Sequence, residues 1–464
     1  MTTQSDLIDT RTSGPVPTAQ APEWLSPPDH RSLPTSLWTP SVHRDDDGVV
    51  RIGGVDVVTL ADRFGTPAYL FDEDAFRQQC ELFRDAFHDV DTHYAAKAFL
   101  CKAVVRHVAD TGLFLDVCTE GELEVALAAG FPPARMLLHG NNKSDRELEM
   151  ALTLGIRRVV VDSFDEIERL TNLARRLGKR PGVLLRATVG VRSDAHDHNA
   201  TAHEDQKFGF SVSAGEVHEA VRRVLAADIL DLRGLHSHIG SQILDSSGFE
   251  ISARRAIGVL AEFAAEHGRE LPELNLGGGF GIAYTTKDHP LGPAELAAAI
   301  RAAVQEESAR LGVTAPRLAI EPGRAIAGQA GCTLYRVGTV KPRAGLRTYV
   351  AVDGGMSDNV RPALFGADYT VTVGNRVSTA DQMLVRVVGR HCDAGDIVVR
   401  DAYLPGDVRV GDLLVVAATG AYCRSLSSNF NHTPRPPVVG VASGVARELI
   451  RRETVADLLA LDVG

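Results

Sequence analysis

The sequence predicts a parallel (β/α)8 TIM barrel joined to a second, mostly antiparallel β domain. Three observations carry that expectation. From about residue 68 to residue 335, short β-branched or aromatic runs alternate with helical ones, which implies parallel strands joined by right-handed crossovers. Eight or so such units over about 250 residues suit a closed barrel better than an open sheet. After Tyr335 the texture changes to short strands punctuated by Gly and Asp turns, as in VGTVK, TYVAVDGG, DYTVTVG, QMLVRVVGR and GDLLVVAATGAY.

Taken in order, residues 1–35 carry SGPVP, APEW and SPPD without periodicity and are expected to form a flexible arm. Residues 36–67 are expected to contribute to the β domain. Within them VVRIGGVDVV reads as a hairpin turning at Gly53–Gly54, and LADRFG as a short helix. The barrel is assigned to residues 68–335. Its strand candidates are 68–71, 92–96, 113–117, 136–139, 158–162, 183–189, 232–239, 273–276 and 317–321. Helices are expected over 74–87, 102–109, 121–129 and 144–154, and Ser163 with Glu166 reads as a capping box opening another. Residues 336–464 form the C-terminal β domain, so the chain would enter that domain, build the barrel and return.

Composition narrows the function. A chain of 464 residues exceeds one ordinary core, and 44% hydrophobic with 23% charged residues is the balance of a globular enzyme. A net charge of -11 argues against a nucleic-acid surface and for a small-molecule ligand. The six cysteines form no CxxC pair, which argues against a metal site or a disulfide framework and fits a reducing cytoplasm. The opening MTTQSDLIDTRTSG has no apolar h-region, and no run approaches the roughly 18 apolar residues of a membrane span.

The chemistry starts at Lys97, which ends the run THYAAK. An amine at the mouth of a buried strand is costly to desolvate. One reason to place it there is a nucleophile, its pKa lowered by burial, that forms a Schiff base with a carbonyl; the other is a lysine snorkelling into water. Its company decides. Asp116, His139, His236, His238, the Gly277–Gly278–Gly279 run and Glu321 all fall at or just beyond predicted strand ends, which share one face of a barrel. The glycine run comes too late for a dinucleotide fingerprint and suits a nest of N–H groups around a phosphate. Gly323 and Arg324 offer a second such loop, and Ser241 a hydroxyl. Glu321 ends an apolar strand and needs a partner, either Arg324 or the protonated nitrogen of a cofactor ring. His238 is either a core histidine or a ring laid against that cofactor. Together these needs are those of pyridoxal 5'-phosphate (PLP).

Longer motifs sharpen this: HYAAKAF (93–99), LDVCTEGEL (115–123), HGNNKS (139–144), TAHEDQKFGF (201–210), GLHSHIGSQ (234–242), LGGGFGIAY (276–284), EPGRAI (321–326), DGGMSDN (353–359), RHCDAGD (390–396) and TGAYCRS (419–425). From about Val49 onward the chain resembles the fold-type III PLP decarboxylases, most closely the diaminopimelate decarboxylase family. The resemblance implies that Lys97 carries the cofactor and that His238, Ser241, Gly277–Gly279, Gly323 and Glu321 contact its ring or phosphate. It further implies that Arg324, Arg361 and Tyr422 bind substrate or cofactor. Cys392, with its acidic neighbour Asp393, would enter the site of the partner subunit in a homodimer with shared active sites. The implied reaction takes meso-2,6-diaminopimelate to L-lysine and carbon dioxide, the last step of lysine biosynthesis. Lys97, Cys392, Glu321 and His238 would be catalytic, Cys392 or Lys97 donating the proton to Cα.

The chain departs from the family twice. The family pattern has Glu at the position of Asp393 and Tyr at that of Phe365. The missing hydroxyl would cost about 0.5–1.5 kcal/mol of substrate binding. Ornithine, arginine and carboxynorspermidine decarboxylases share the pattern, but substrates without a distal carboxylate have no use for both Arg324 and Arg361. A racemase of this barrel would place Arg where Glu321 stands, and a non-catalytic PLP-binding barrel would lack the β domain.

Overall fold

The computed structural model describes residues 20–29, 31–191 and 206–464. Residues 1–19 of the expected arm and 201–205 of the TAHEDQKFGF motif lie outside them. Eight parallel strands close on themselves: Asp91–Ala95, Phe114–Val117, Met136–Leu138, Arg158–Val161, Gly182–Thr188, Asp231–His236, Glu273–Asn275 and Arg317–Ile320, the last pairing back onto the first. Most of their residues are buried, because side chains fill the barrel on one side and meet a ring of helices on the other. The helices begin where the sequence marks them. At Ser144 the hydroxyl accepts from Glu147 N–H and the Glu147 carboxylate returns to the Ser144 N–H. The expected box at Ser163 is only half formed. Its hydroxyl accepts from Glu166 N–H, but the Glu166 carboxylate turns inward to Lys143 at 2.7 Å and the Asp162 N–H at 2.9 Å. The buried Lys143 ammonium is the stronger claimant.

The second domain is a mixed, mainly antiparallel sheet of nine strands, running from Gly331–Lys341 through Thr348–Val352, Gln382–Val388, Ile397–Pro405 and Leu413–Val416 to Val438–Ala442. Two expectations are corrected here. Ala68–Asp72, read as the first barrel strand, lies instead at the centre of this sheet, antiparallel to Gly331–Lys341 and parallel to Val438–Ala442. Its composition and the helix that follows it, Glu73–Ala86, match a barrel unit; only its neighbours differ, and neighbours leave no local signal. The hairpin at Gly53–Gly54 forms, but within a separate three-stranded sheet, His43–Arg44, Val50–Ile52 and Val55–Asp56. It touches the β domain through two backbone bonds, Val50 N–H to Gly374 and Gly444 N–H to Gly53, both 2.7 Å, and through Arg44, which donates to Thr372 Oγ1 and the Val373 carbonyl.

Ahead of the hairpin, residues 20–29 and 31–38 run along the β domain. Trp24 stacks under the Lys287 ammonium at 4.5 Å, and Leu37 and Trp38 are buried.

Candidate functional site

The C-terminal ends of the barrel strands meet a loop and a short helix of the β domain around a cavity of about 430 Å³. Lys97, His238, Ser241, Gly278, Gly279 and Glu321 line it from the barrel. Gly323 and Arg324 follow the last strand; Arg361, Phe365 and Tyr422 come from the β domain. Gly277 lies buried just behind the wall, where a Cβ would come within 2.7 Å of the Ser237 carbonyl. A second lobe of about 300 Å³ shares Lys97, Phe208, His238 and Glu321 and adds Cys118, His139, Arg186 and His236. Cys392 and Asp393 are not among these walls; both are exposed on a β-domain loop.

Lys97 follows its strand in a single 3-10 turn, Ala96–Ala98, which turns the side chain into the opening. Its exposure is to the cavity. Burial alone would depress its pKa, as the sequence suggested. The outcome is the opposite: Asp116, with Tyr422, Cys118 and Glu321, outweighs burial and holds the ammonium above the ordinary lysine range.

Glu321 is 4% exposed and does not pair with Arg324. One oxygen, Oε1, accepts from His139 Nε2 at 2.7 Å and Asn275 Nδ2 at 2.8 Å; Oε2 faces His236 Nε2 at 3.4 Å. Burial would raise its pKa, but His139 and His236 overcome that and hold the carboxyl well below the usual range. His236 itself is pushed by burial down to about 4. The same direction holds for His238, for burial first and the Lys97 charge second.

The glycine run is shaped by contact. A Cβ on Gly278 would lie 2.2 Å from the Glu321 carbonyl, and one on Gly279, at φ 120°, 2.5 Å from that of Gly240. The backbone therefore faces the cavity bare. Beside it Arg324, 7% exposed, donates Nη2 to Ser241 Oγ at 2.8 Å and Nη1 to the Tyr284 hydroxyl, while its buried Nε has no partner. Its guanidinium stacks on Tyr422 at 4.8 Å. Tyr422 holds a left-handed φ of 60°, fastened by its N–H to the Ala98 carbonyl at 2.8 Å, one residue beyond Lys97. Arg361, 5% exposed, donates to the Tyr369 hydroxyl at 2.5 Å. Among the described residues neither Arg324 nor Arg361 has a carboxylate within ion-pairing distance.

An unpartnered guanidinium N–H, a bare glycine wall, a lysine open to the cavity and an ionised carboxylate across from it fit an aldehyde-bearing phosphate ester with a basic ring nitrogen. The residues of the site thus suit PLP. In the sequence His139, His236 and Asp116 stand out as strand-end residues without a role, Tyr284 and Phe208 lie unassigned within the motifs LGGGFGIAY and TAHEDQKFGF, and Asn275 and Tyr369 are unmarked. His139, His236 and Asp116 left a trace, as polar residues at the ends of apolar strands.

Barrel and site together define a PLP-dependent enzyme, and residues 73–328 match the family model for the pyridoxal-binding domain of pyridoxal-dependent decarboxylases. The diaminopimelate decarboxylase of Mycobacterium tuberculosis is 52% identical over 440 residues, 93% of this chain and 98% of that protein. That of Bacillus subtilis is 44% identical over 424 residues, 90% of this chain and 96% of its own length. The crystal structure of the M. jannaschii diaminopimelate decarboxylase with L-lysine superposes with a TM-score of 0.86, at 31% identity, over 92% of this chain and 99% of that one. The chain belongs to the diaminopimelate decarboxylase family of fold-type III PLP enzymes.

Proposed function

We propose that this protein decarboxylates meso-2,6-diaminopimelate to L-lysine and carbon dioxide, with PLP as cofactor. The observation that carries the reading is the pair of buried arginines without carboxylate partners. A buried charge without a counter-ion is costly, so each waits for an anion. Arg324 would hold the cofactor phosphate, and Arg361 would hold a second anion, the distal carboxylate of the substrate, for which a guanidinium is suited.

When bound, PLP supplies a carbonyl that condenses with amines and a ring that takes up the electron pair left by carbon dioxide. Lys97 is the amine that would tie the cofactor down and yield it to the substrate amine. Asp116 holds its pKa above the ordinary lysine range, so that Lys97, once released from the cofactor, would carry a proton to give to Cα. Glu321, kept ionised by His139 and His236, would hold a proton on the ring nitrogen. His238 would lie against the ring, and the Gly277–Gly279 backbone with Ser241 would bind the phosphate. Phe208, Phe365 and Tyr422 line the same cavity and would exclude water from it.

Cys392 and Asp393 stand away from this chain's cavity, which supports their entering the site of a second subunit in a homodimer. Mixing inactive Lys97→Ala and Cys392→Ala chains should then restore activity; mixed dimers without activity would overturn sharing. No helix among the described residues is long and apolar enough to cross a membrane, and all six cysteines are free, which supports work in the reducing cytoplasm.

The deciding experiment measures carbon dioxide released from meso-diaminopimelate, lysine, ornithine, arginine and carboxynorspermidine. Diaminopimelate should be preferred by about 10³-fold or more, since a missing group leaves buried partners unpaired. Higher efficiency on ornithine or carboxynorspermidine would refute the substrate. Borohydride reduction and peptide mapping should place the cofactor label on Lys97.

A further inference from the structure

Arg324 and Arg361 reach the cavity from different parts of the chain, and one side chain touches both. Tyr284, the last residue of LGGGFGIAY, is 5% exposed. Its hydroxyl accepts from Arg324 Nη1, and its ring carries the Arg361 guanidinium 4.8 Å above the centroid. Tyr369, which accepts from Arg361, meets the same ring edge-on at 5.1 Å and 77°. The Tyr284 backbone is pinned on both sides. Its N–H donates to Asp288 Oδ2 at 3.0 Å, and its carbonyl accepts from Thr370 Oγ1 at 2.9 Å. Because Thr370 adjoins Tyr369, barrel loop and β domain are fastened together at this point.

Two guanidinium groups on one cavity repel each other. A phenol that offers its face to one and its oxygen to the other presents negative potential to both. We propose that Tyr284 is a positioning residue that fixes the spacing between the two anion receptors, so that the enzyme measures the distance between the cofactor phosphate and the far carboxylate. The proposal rests on the substrate reading above and adds to it the part that sets the length. The Tyr284 hydroxyl serves Arg324 alone, whereas its ring lies under both guanidinium groups, Arg361 at 4.8 Å and Arg324 at 5.7 Å, so loss of the hydroxyl and loss of the ring are separable changes.

The test uses Tyr284→Phe and Tyr284→Leu in the full chain. PLP affinity is read from fluorescence titration of protein stripped of cofactor. Kinetics of the holoenzyme are read with meso-diaminopimelate and with its homologues one methylene shorter and one longer, 2,5-diaminoadipate and 2,7-diaminosuberate. Tyr284→Phe should weaken PLP binding about tenfold while KM for diaminopimelate stays within about twofold. Tyr284→Leu should in addition raise KM about tenfold at little cost in kcat, and narrow the preference for diaminopimelate over both homologues. In an Arg361→Lys background the Leu change should raise KM no further.

Unchanged PLP affinity in Tyr284→Phe, or an equal rise of KM with and without Arg361, would overturn the proposal. Tyr284→Phe keeps the ring and nearly its volume, so it carries the test alone if the smaller residue does not fold. A wild-type enzyme that does not accept diaminopimelate would instead refute the substrate, and the PLP titration would still decide the role of the hydroxyl.

Discussion

At the N-terminal end of the barrel, Arg157 and Arg317 donate to Asp91, and Arg158 grips Glu273 with two bonds of 2.8 and 2.5 Å. At the C-terminal end Arg324 and Arg361 meet only hydroxyls and aromatic faces. The same residue type is neutralised at one end of the barrel and left waiting at the other. The cavity follows suit: about 10 Å³ beside the paired arginines, about 430 Å³ beside the unpaired ones. Charges satisfied within the chain contribute to stability. Charges left for a ligand cost stability until it binds. The difference gives each end its own signature under mutation.

The largest effect is expected from Glu321, a buried acid at the open end with three donors of its own. Glu321→Gln should bind PLP and keep its fold but lose about 10²–10³ in kcat, because a neutral amide cannot hold the proton on the ring nitrogen. Near-normal turnover of the loaded variant would show that its histidine partners make it a structural group, as at the other end.

Next comes a matched pair of substitutions. Arg361→Ala should raise KM for diaminopimelate about a hundredfold while the melting temperature holds or rises, since an unpaired buried charge is removed. Asp91→Asn should do the reverse. It should cost about 1–2 kcal/mol of stability, trimmed by the partial exposure of Arg157 and Arg317, and leave kcat/KM within about twofold. Urea melts and steady-state kinetics on both proteins decide it; Arg361→Ala losing stability like Asp91→Asn would erase the distinction.

The smallest effect concerns pH. His93 lines the small cavity at the closed end, and burial pushes its imidazole down to about 4, against 6.5 in a free chain. Between those values the unfolded chain holds a proton that the native one refuses. Stability should therefore rise with pH across that window and fall, by at most about 1.4 kcal/mol per pH unit from this group, as pH drops from about 6.5 towards 4. His93→Gln should flatten the profile of melting temperature over that range; an unchanged slope would assign it to the buried histidines at the other end, His236 and His238.

Much of this was legible in the sequence. Strand ends carried Lys97, His238 and Glu321 onto one face because a parallel barrel puts every C-terminal strand end on the same side, and that rule needs only the alternation of elements. What stayed hidden depends on contacts between distant segments. The run Ala68–Asp72 looked like a barrel strand because pattern fixes strand type, not strand neighbours. The partners of Glu321 could not be chosen between Arg324 and anything else, since His139 and Asn275 come from other strands. The Lys97 pKa was misjudged for the same reason: burial is visible in the run THYAAK, whereas the opposing Asp116 charge is visible only in space. Tyr284 and Tyr369 gave no signal, being aromatic residues of loops that could equally have been core.

The central place of Ala68–Asp72 in the second sheet bears on how the molecule is made. Phe71 pairs with Gly331 on one side and Gly440 on the other. Every barrel strand is synthesised between Phe71 and the first of those partners. As the chain leaves the ribosome, the barrel can close while this apolar strand still has both edges open. Only the much later segment Val438–Ala442 gives the strand its second neighbour. The segment is thus a long-lived aggregation risk in the nascent protein, and contacts of such sequence separation form late. Because the β domain is stitched in this order around the barrel, it cannot be excised as one continuous piece of chain, and the catalytic cavity between the two is finished only once its later strands have been made.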